Sequence, residues 1–217
     1  MGAPHADTNR PAWMEHFFHY PEQQISSAKM GMWLFLAQEI LFFSGLFMAY
    51  IAFRWLYPET WLSGADELNK WLGATNTVVL LTSSLTMALA VRAAQLGKNS
   101  EVLAWLGATQ LGAVGFLVIK YIEYSSKWSH GIFPGKYYDY AGADGLMTIF
   151  FSIYYCLTGL HGIHVVAGMI AIGWIMYRTA KGAYTPDNYV AIENVGLYWH
   201  LVDLIWIFLF PLLYLVK

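Results

Sequence analysis

Five long apolar runs constrain this chain more than any other feature of its sequence. As helices of about 20 residues or more, they are long enough to cross roughly 30 Å of bilayer hydrocarbon. The runs cover residues 30–57, 71–91, 102–124, 145–177 and 192–216. They lack the alternation of strands, and a helix satisfies its own backbone hydrogen bonds in lipid. The sequence therefore predicts an all-α fold, a polytopic membrane helix bundle with five transmembrane helices.

The composition agrees with a bilayer environment. Of the 217 residues, 58% are hydrophobic and only 12% are charged, whereas a soluble domain carries about a quarter charged residues. The net charge of −2 is too small to indicate a nucleic-acid partner. The single cysteine, Cys156, lies inside an apolar run, which excludes an internal disulfide and argues against a cysteine-based metal site.

The chain divides into a polar arm and the membrane bundle. Residues 1–29 contain no apolar run, so we expect an N-terminal arm that is irregular or forms a surface helix. Residues 30–217 form the bundle. The linkers near 92–101 and 178–191 are slightly basic, and the other two are neutral to acidic. The positive-inside rule then predicts a cytoplasmic N-terminus.

Small and weakly polar residues inside the runs are expected at helix–helix contacts, because they permit close approach and interhelical hydrogen bonds. These residues are Asn76, Thr82, Ser83, Thr86, Gly107, Gly112, Gly115, Gly159, Gly162 and Gly168. One bundle without a second domain is expected from this pattern.

Glu39 is a carboxyl group inside the first apolar run. It lies about ten residues into the predicted span, or about 15 Å deep at 1.5 Å per residue. An ionised carboxylate at that depth is costly unless it is paired or protonated. Glu39 is therefore either a neutral, hydrogen-bonded helix-packing group or a proton-linked or lipid-linked site.

His161 and His164 are three residues apart, so they share one face of the fourth predicted helix. Metal ligation is one interpretation, but zinc takes three or four protein ligands and haem needs an axial ligand that the opposed helices must supply. A hydrogen-bonded pair that faces the bundle is favoured. Glu39 is the suggested partner of one histidine.

Arg178 follows His164 by 14 residues, which returns it near the same helix face at the membrane surface. It is interpreted either as a snorkelling interfacial arginine or as a ligand for an anionic lipid headgroup.

The remaining buried polar positions lie in the third and fifth runs. His200 and Asp203 again share a face, and Asp203 is expected to pair with His200 or with a neighbouring helix. Glu123 and Glu193 are interpreted either as buried polar groups or as interfacial charges. The sequence has no Gly-rich phosphate loop and no Ser–His–Asp signature, so no catalytic residue is assigned.

Four sequence motifs contain most of these polar residues. They lie at residues 32–47, 76–84, 158–165 and 198–206. The third reads Thr-Gly-Leu-His-Gly-Ile-His-Val, and the fourth reads Tyr-Trp-His-Leu-Val-Asp-Leu-Ile-Trp. In this order, they resemble the motifs of subunit III of the haem–copper oxidases. The chain looks like a short, five-helix form of that family, without the two N-terminal helices that build one wall of a lipid-filled cleft in longer members.

The resemblance implies a non-redox accessory subunit of a cytochrome c oxidase, a proton-translocating oxidoreductase. It implies no metal and no catalytic centre in this chain, with haem and copper held by partner subunits. The partners implied are subunit I, in direct contact, and subunit II, with a small subunit IV as a further candidate. The implied role is to stabilise the catalytic subunit, bind structural phospholipid and support proton uptake and oxygen delivery in a bacterial inner (plasma) membrane.

Carried over residue by residue, the resemblance gives Glu39 the proton- or lipid-linked carboxylate position. His161, His164 and Arg178 match lipid-binding and core polar positions. No role is assigned to the matching positions Glu123, Glu193, His200 and Asp203.

Three alternatives stay open at this point. One is subunit III of a quinol oxidase, although Glu39 and the intact Tyr-Trp-His motif favour the cytochrome c type. A stand-alone proton-linked membrane transporter is another, and the lack of an inverted repeat argues against it. The last is a metal- or haem-binding membrane protein.

Overall fold

The computed structural model describes residues 11, 13–132 and 146–216 of the chain. Within these residues the chain forms six helices: α1 (Pro21–Leu56), α2 (Pro58–Asp66), α3 (Lys70–Gln95), α4 (Asn99–Ser129), α5 (Met147–Ala180) and α6 (Val190–Tyr214). All of these except α2 are long and apolar enough to cross a membrane. The predicted all-α membrane bundle with five spanning helices is therefore confirmed.

The helix ends differ from the predicted boundaries. Helix α1 begins at Pro21 rather than at Met30 and so takes in the last part of the predicted arm. Proline suits this position because a first-turn N–H has no helical acceptor. The short helix α2 lies between the first two predicted spans, where the sequence predicted only a linker. Predicted features at residues 1–10, 12, 133–145 and 217 lie outside the described residues.

Helices α3 and α4 form an extensive antiparallel pair. Helix α3 is capped by Asn69, whose side-chain oxygen accepts hydrogen bonds from the backbone N–H groups of Trp71 and Leu72 at 3.0 and 3.3 Å. Gly97 has a φ of 70° in the turn between the two helices, a conformation that glycine adopts without steric cost. The pair forms one side of the bundle.

Helix α6 is the centre of the bundle and packs against α1, α2, α3 and α5. Its large aromatic side chains Trp199, Trp206 and Tyr214 are fully buried. Gly168 on α5 admits one of them, because a Cβ there would lie 2.8 Å from the Trp199 ring. In contrast, α1 leaves much of its apolar surface exposed, and it is this helix that carries Glu39 to the bundle.

Candidate functional site

Glu39 and His164 meet in the described part of the bundle. Helix α1 carries the carboxylate, α5 carries the imidazole, and Glu39 Oε2 lies 3.0 Å from His164 Nε2. Glu39 is buried, with 8% of its surface exposed, and His164 is half-buried. The contact therefore joins two titratable groups that the sequence had placed on separate spans.

The other ring nitrogen of His164 fixes the proton count of this pair. His164 Nδ1 lies 2.7 Å from the carbonyl oxygen of Leu160, which can only accept, so Nδ1 must carry a hydrogen. Either the imidazole is doubly protonated beside a carboxylate, or a protonated Glu39 donates to a neutral Nε2. The pair thus shares one proton between Nε2 and Oε2, and the proton can pass between them without loss of the hydrogen bond.

Aromatic side chains surround this pair. The rings of Phe43 and Phe42 lie 5.1 and 6.1 Å from the His164 ring, between centroids. The Tyr198 hydroxyl donates to the backbone carbonyl of His164 at 3.0 Å. Because apolar surroundings lower the local dielectric, the Glu39–His164 hydrogen bond is stronger here than it would be in water.

His161 does not take part in the pair. It is fully buried between the Phe116 and Trp206 rings, at centroid distances of 5.5 and 5.2 Å. Neither of its ring nitrogens has a hydrogen-bond partner among the described residues. Both histidines share the helix face that was expected, but only His164 forms the expected hydrogen bond with Glu39.

Arg178 lies in the last turn of α5 and is exposed. Its guanidinium stacks on Trp174 and Tyr184, at 5.2 and 5.8 Å from the ring centroids. Burial raises the pKa of the Tyr184 phenol above its ordinary value, so that ring stays neutral. Among the described residues, no carboxylate forms a salt bridge with Arg178, which leaves the cation available to an outside anion.

A buried ion pair lies elsewhere in the bundle, on α4. Lys120 Nζ donates to Glu123 Oε2 at 2.8 Å and to the hydroxyls of Tyr214 and Tyr154 at 2.9 and 3.2 Å. The Tyr214 hydroxyl in turn donates to Glu123 Oε1 at 2.7 Å. Four groups thus satisfy one another in a single network. Separately, no three His, Cys, Asp or Glu side chains in the described ranges converge as metal ligands.

Comparison with known proteins shows which family this sequence matches. The family model described as "Cytochrome c oxidase subunit III" matches residues 16–217. This chain belongs to the cytochrome c oxidase subunit III family. It is a multi-pass membrane protein and an accessory subunit of a haem–copper oxidase, as the motifs had indicated.

Named relatives of this subunit III come from distant bacteria. A probable cytochrome c oxidase subunit 3 of Mycobacterium tuberculosis is 33% identical over 189 residues, which is 87% of each chain. The cytochrome c oxidase subunit 3 of Synechocystis is 34% identical over 86% of this chain and 74% of the relative. A cytochrome bo(3) ubiquinol oxidase subunit 3 of Pseudomonas putida is 31% identical over 86% and 84%.

Of the two interpretations of Glu123, a buried polar residue or an interfacial charge, the structure shows the first. Helix α4 continues to Ser129, so Glu123 lies well inside the helix and is only 3% exposed. Glu193, in the first turn of α6, is half-buried and forms a salt bridge with Lys29 of α1, with Oε2 3.0 Å from Nζ. This contact fastens the beginnings of α1 and α6 to each other.

Asp203 does not form the pair with His200 that was one of its two expected arrangements, and Ser84 of the neighbouring helix α3 is the side chain that interacts with it. His200 Nδ1 lies 2.7 Å from Ser84 Oγ of α3. Both carboxylate oxygens of Asp203 are buried without a geometric hydrogen-bond partner among the described residues. The two residues share a helix face, but the hydroxyl on α3 takes the histidine.

Sequence reasoning missed three polar groups that the fold uses. Lys120 is the centre of the buried network, Ser84 holds His200, and Lys29 pairs with Glu193. The opposite charges of Lys120 and Glu123 at i, i+3 spacing inside one apolar run were the available signal for the first. No signal in the sequence pointed to Ser84 or Lys29.

Proposed function

We propose that this subunit III supports the oxygen-reducing subunit of a cytochrome c oxidase by holding a proton and structural phospholipid beside it. The Glu39–His164 contact carries this proposal. Ionisable side chains inside membrane helices commonly lie on proton pathways, and this acid and imidazole hold one proton between them without a net charge. The pair is the proton-linked site, and His161 and Arg178 complete the polar set of α5.

A proton can move within this pair only if neither of its two positions leaves an unpaired charge in the membrane. When the proton lies on His164, the imidazolium compensates the Glu39 carboxylate. When it lies on Glu39, both groups are neutral. Since the local charge sums to zero in either arrangement, moving the proton across the hydrogen bond avoids the cost of an unpaired charge in lipid.

The lipid part of the proposal rests on Arg178. Its exposed guanidinium, stacked on two aromatic rings and without a carboxylate partner in the described residues, has the donors for a phosphate headgroup. Bound phospholipid at this position supports durability of the oxygen-reducing site and keeps an apolar route for oxygen.

We assign haem and copper to the partner subunits, because electron transfer requires ligand sets that belong to subunits I and II. Subunit I binds this chain directly. Leu34, Leu41 and Met48 support this contact, since they recur at seven-residue spacing on α1 and are 68%, 74% and 67% exposed. Subunit II and a small subunit IV are the further partners proposed, and no nucleic acid is among them.

The proposed location is a bacterial inner (plasma) membrane with a cytoplasmic N-terminus. Lys29, Lys98 and Arg178 support this orientation, because the helix connections place all three at the same end of the bundle. Lys and Arg accumulate on the cytoplasmic side of membrane proteins. On this arrangement α6 ends outside.

The electron donor decides between the two oxidase classes. We propose cytochrome c as the donor, and the Pseudomonas putida relative makes a quinol oxidase the second candidate. Oxygen uptake by the complex that copurifies with this chain is measured with reduced cytochrome c and with a quinol. Uptake driven by cytochrome c alone is expected, and uptake driven only by quinol contradicts the first candidate.

Proton movement by the chain alone in liposomes would favour a stand-alone transporter.

A further inference from the structure

A groove opens where α1, α2 and the end of α6 meet. Its volume is about 630 Å³, within the range of small-molecule sites in proteins. It is lined by Tyr50, Ile51, Arg54, Trp55, Leu62 and Leu212, among others. The groove therefore combines one cationic side chain with aromatic and aliphatic walls.

The course of the chain creates this groove. Helix α1 ends at Leu56 and α2 begins at Pro58, so the backbone changes direction within one residue while α6 continues to Tyr214. The Tyr50 hydroxyl donates to the backbone carbonyl of Leu212 and joins α1 to α6. Arg54 lies one turn farther along α1, beside the bilayer surface.

Arg54 is the cation in this groove, and it interacts with the Tyr50 hydroxyl but has no anionic partner among the described residues. It is half-buried. Lys70, at the same end of the bundle, has such a partner in Asp66 at 3.3 Å. A guanidinium has five N–H donors in a planar fork that fits phosphate oxygens, and apolar walls strengthen its attraction for an anion.

The walls match the remaining parts of a phospholipid. Trp55 is 82% exposed at the end of α1, and exposed tryptophan at such a position settles at the level of lipid headgroups. Ile51 and Leu212 are aliphatic and lie toward the bilayer interior. A ligand with an anion at one end and hydrocarbon at the other fits this order of side chains.

We propose that the groove binds an anionic phospholipid, with Arg54 as the ligand of its phosphate and with Ile51 and Leu212 against the first part of an acyl chain. This site is distinct from Arg178. The helix connections place Arg178 where α5 ends and α6 begins, whereas Arg54 lies beside the end of α6. The two arginines therefore serve opposite leaflets. The assignment stands on the groove alone and does not depend on the proposed oxidase role.

The test uses the membrane complex that copurifies with the full chain, in nanodiscs of phosphatidylcholine with a minority of phosphatidylglycerol. Native mass spectrometry counts the phosphatidylglycerol retained. Arg54→Gln is expected to weaken phosphatidylglycerol binding at this one groove by about fivefold, the change expected for one basic residue near an anionic headgroup, so the mean number retained falls by up to one lipid per subunit III. Lys70→Gln, at the same end but already paired, is expected to retain the wild-type amount, and Arg54→Lys an intermediate amount. Wild-type retention by Arg54→Gln overturns the proposal.

A second measurement tests the proposal on the wild-type complex, in case the Arg54→Gln variant does not assemble. An electron cryo-microscopy map of the wild-type complex in the same nanodiscs is expected to show phosphate density against the Arg54 guanidinium, continuous with an acyl chain along Ile51. An acidic side chain of a partner subunit in that place, or a zwitterionic lipid, overturns the proposal.

Discussion

Glu39 and His164 are 125 residues apart in the chain, and their side chains are 3.0 Å apart in the fold. The contact spans α1 and α5, two helices with little other packing between them. Since Leu160 fixes the hydrogen on Nδ1, the contact contains one transferable proton. This geometry allows the role of the proton to be separated from the role of the hydrogen bond.

Glu39→Gln is expected to preserve assembly and to reduce the support that subunit III gives during turnover. The glutamine amide can still donate to Nε2, but it cannot release its proton near neutral pH. The measurements are the yield of copurified complex and the loss of oxygen consumption over repeated turnovers, which should be faster in the variant. Glu101→Gln, an exposed acid paired with Lys98, is the control. Failure of Glu39→Gln to assemble would instead indicate a required charge.

Arg178→Ala is expected to weaken the binding of anionic lipid at this one site by about fivefold, so the complex should carry up to one anionic lipid fewer per subunit III. The reason is the loss of a guanidinium that has no carboxylate partner in the described residues. Lipids extracted from the purified complex and quantified by mass spectrometry check this. Lys98→Ala removes a cation at the same end that is already paired with Glu101, and it should leave the lipid content unchanged. An unchanged content in Arg178→Ala would rule out the headgroup role.

Lys120→Met is expected to destabilise the bundle by about 3–5 kcal/mol, because it leaves Glu123 as a buried charge without its cation. Lys98→Met, at the N-cap of α4, is the matched control. Lys98 and Glu101 have the same i, i+3 spacing and a similar 2.8 Å contact, but both are exposed, so the cost should be at most about 1 kcal/mol. Reversible unfolding in mixed micelles measures both. Equal losses in the two variants would show that burial of the pair has no energetic consequence.

The double variant Lys120→Met/Glu123→Gln sharpens this comparison. It removes both charges, so it should be more stable than Lys120→Met alone. A double variant that is less stable by the sum of the single losses would indicate that the two residues act independently.

Gly112→Ala is expected to destabilise the α3–α4 pair by about 1–3 kcal/mol through overpacking. A Cβ at Gly112 would lie 2.8 Å from Ser83 Cβ, which cannot move without its helix. Gly107→Ala is the control, because no atom lies within 4 Å of a Cβ at that position. Alanine there should be neutral or stabilise the helix by up to about 1 kcal/mol. The same unfolding measurement distinguishes them, and a tolerated Gly112→Ala would contradict the close approach.

The five spans could be predicted from the sequence, because a long apolar segment in lipid must satisfy its own backbone hydrogen bonds as a helix. The ends of the helices could not be predicted, because hydropathy marks where side chains enter hydrocarbon and not where helical hydrogen bonds begin. Helix α1 therefore starts in the polar segment at Pro21. Helix α2 was missed because nine residues with a small apolar face resemble a linker.

The candidate site was predictable only in part. The cost of a buried carboxylate pointed from Glu39 to the histidines, but spacing on α5 could not decide whether His161 or His164 meets it. That choice depends on how α1 crosses α5, which is a tertiary property. Likewise, the shared face of His200 and Asp203 suggested a pair within α6, whereas the hydroxyl of Ser84 on α3 lies closer to the imidazole.

The placement of α1 also has a consequence for synthesis. Lys29 and Tyr50 of α1 bind Glu193 and Leu212 of α6, which are synthesised more than 160 residues later. Helix α1 thus leaves the ribosome before its partner α6, and it must wait in the bilayer as an independently inserted span. A chain that stops before α6 would expose these unmatched groups together, which marks an unfinished subunit before it can reach an assembly.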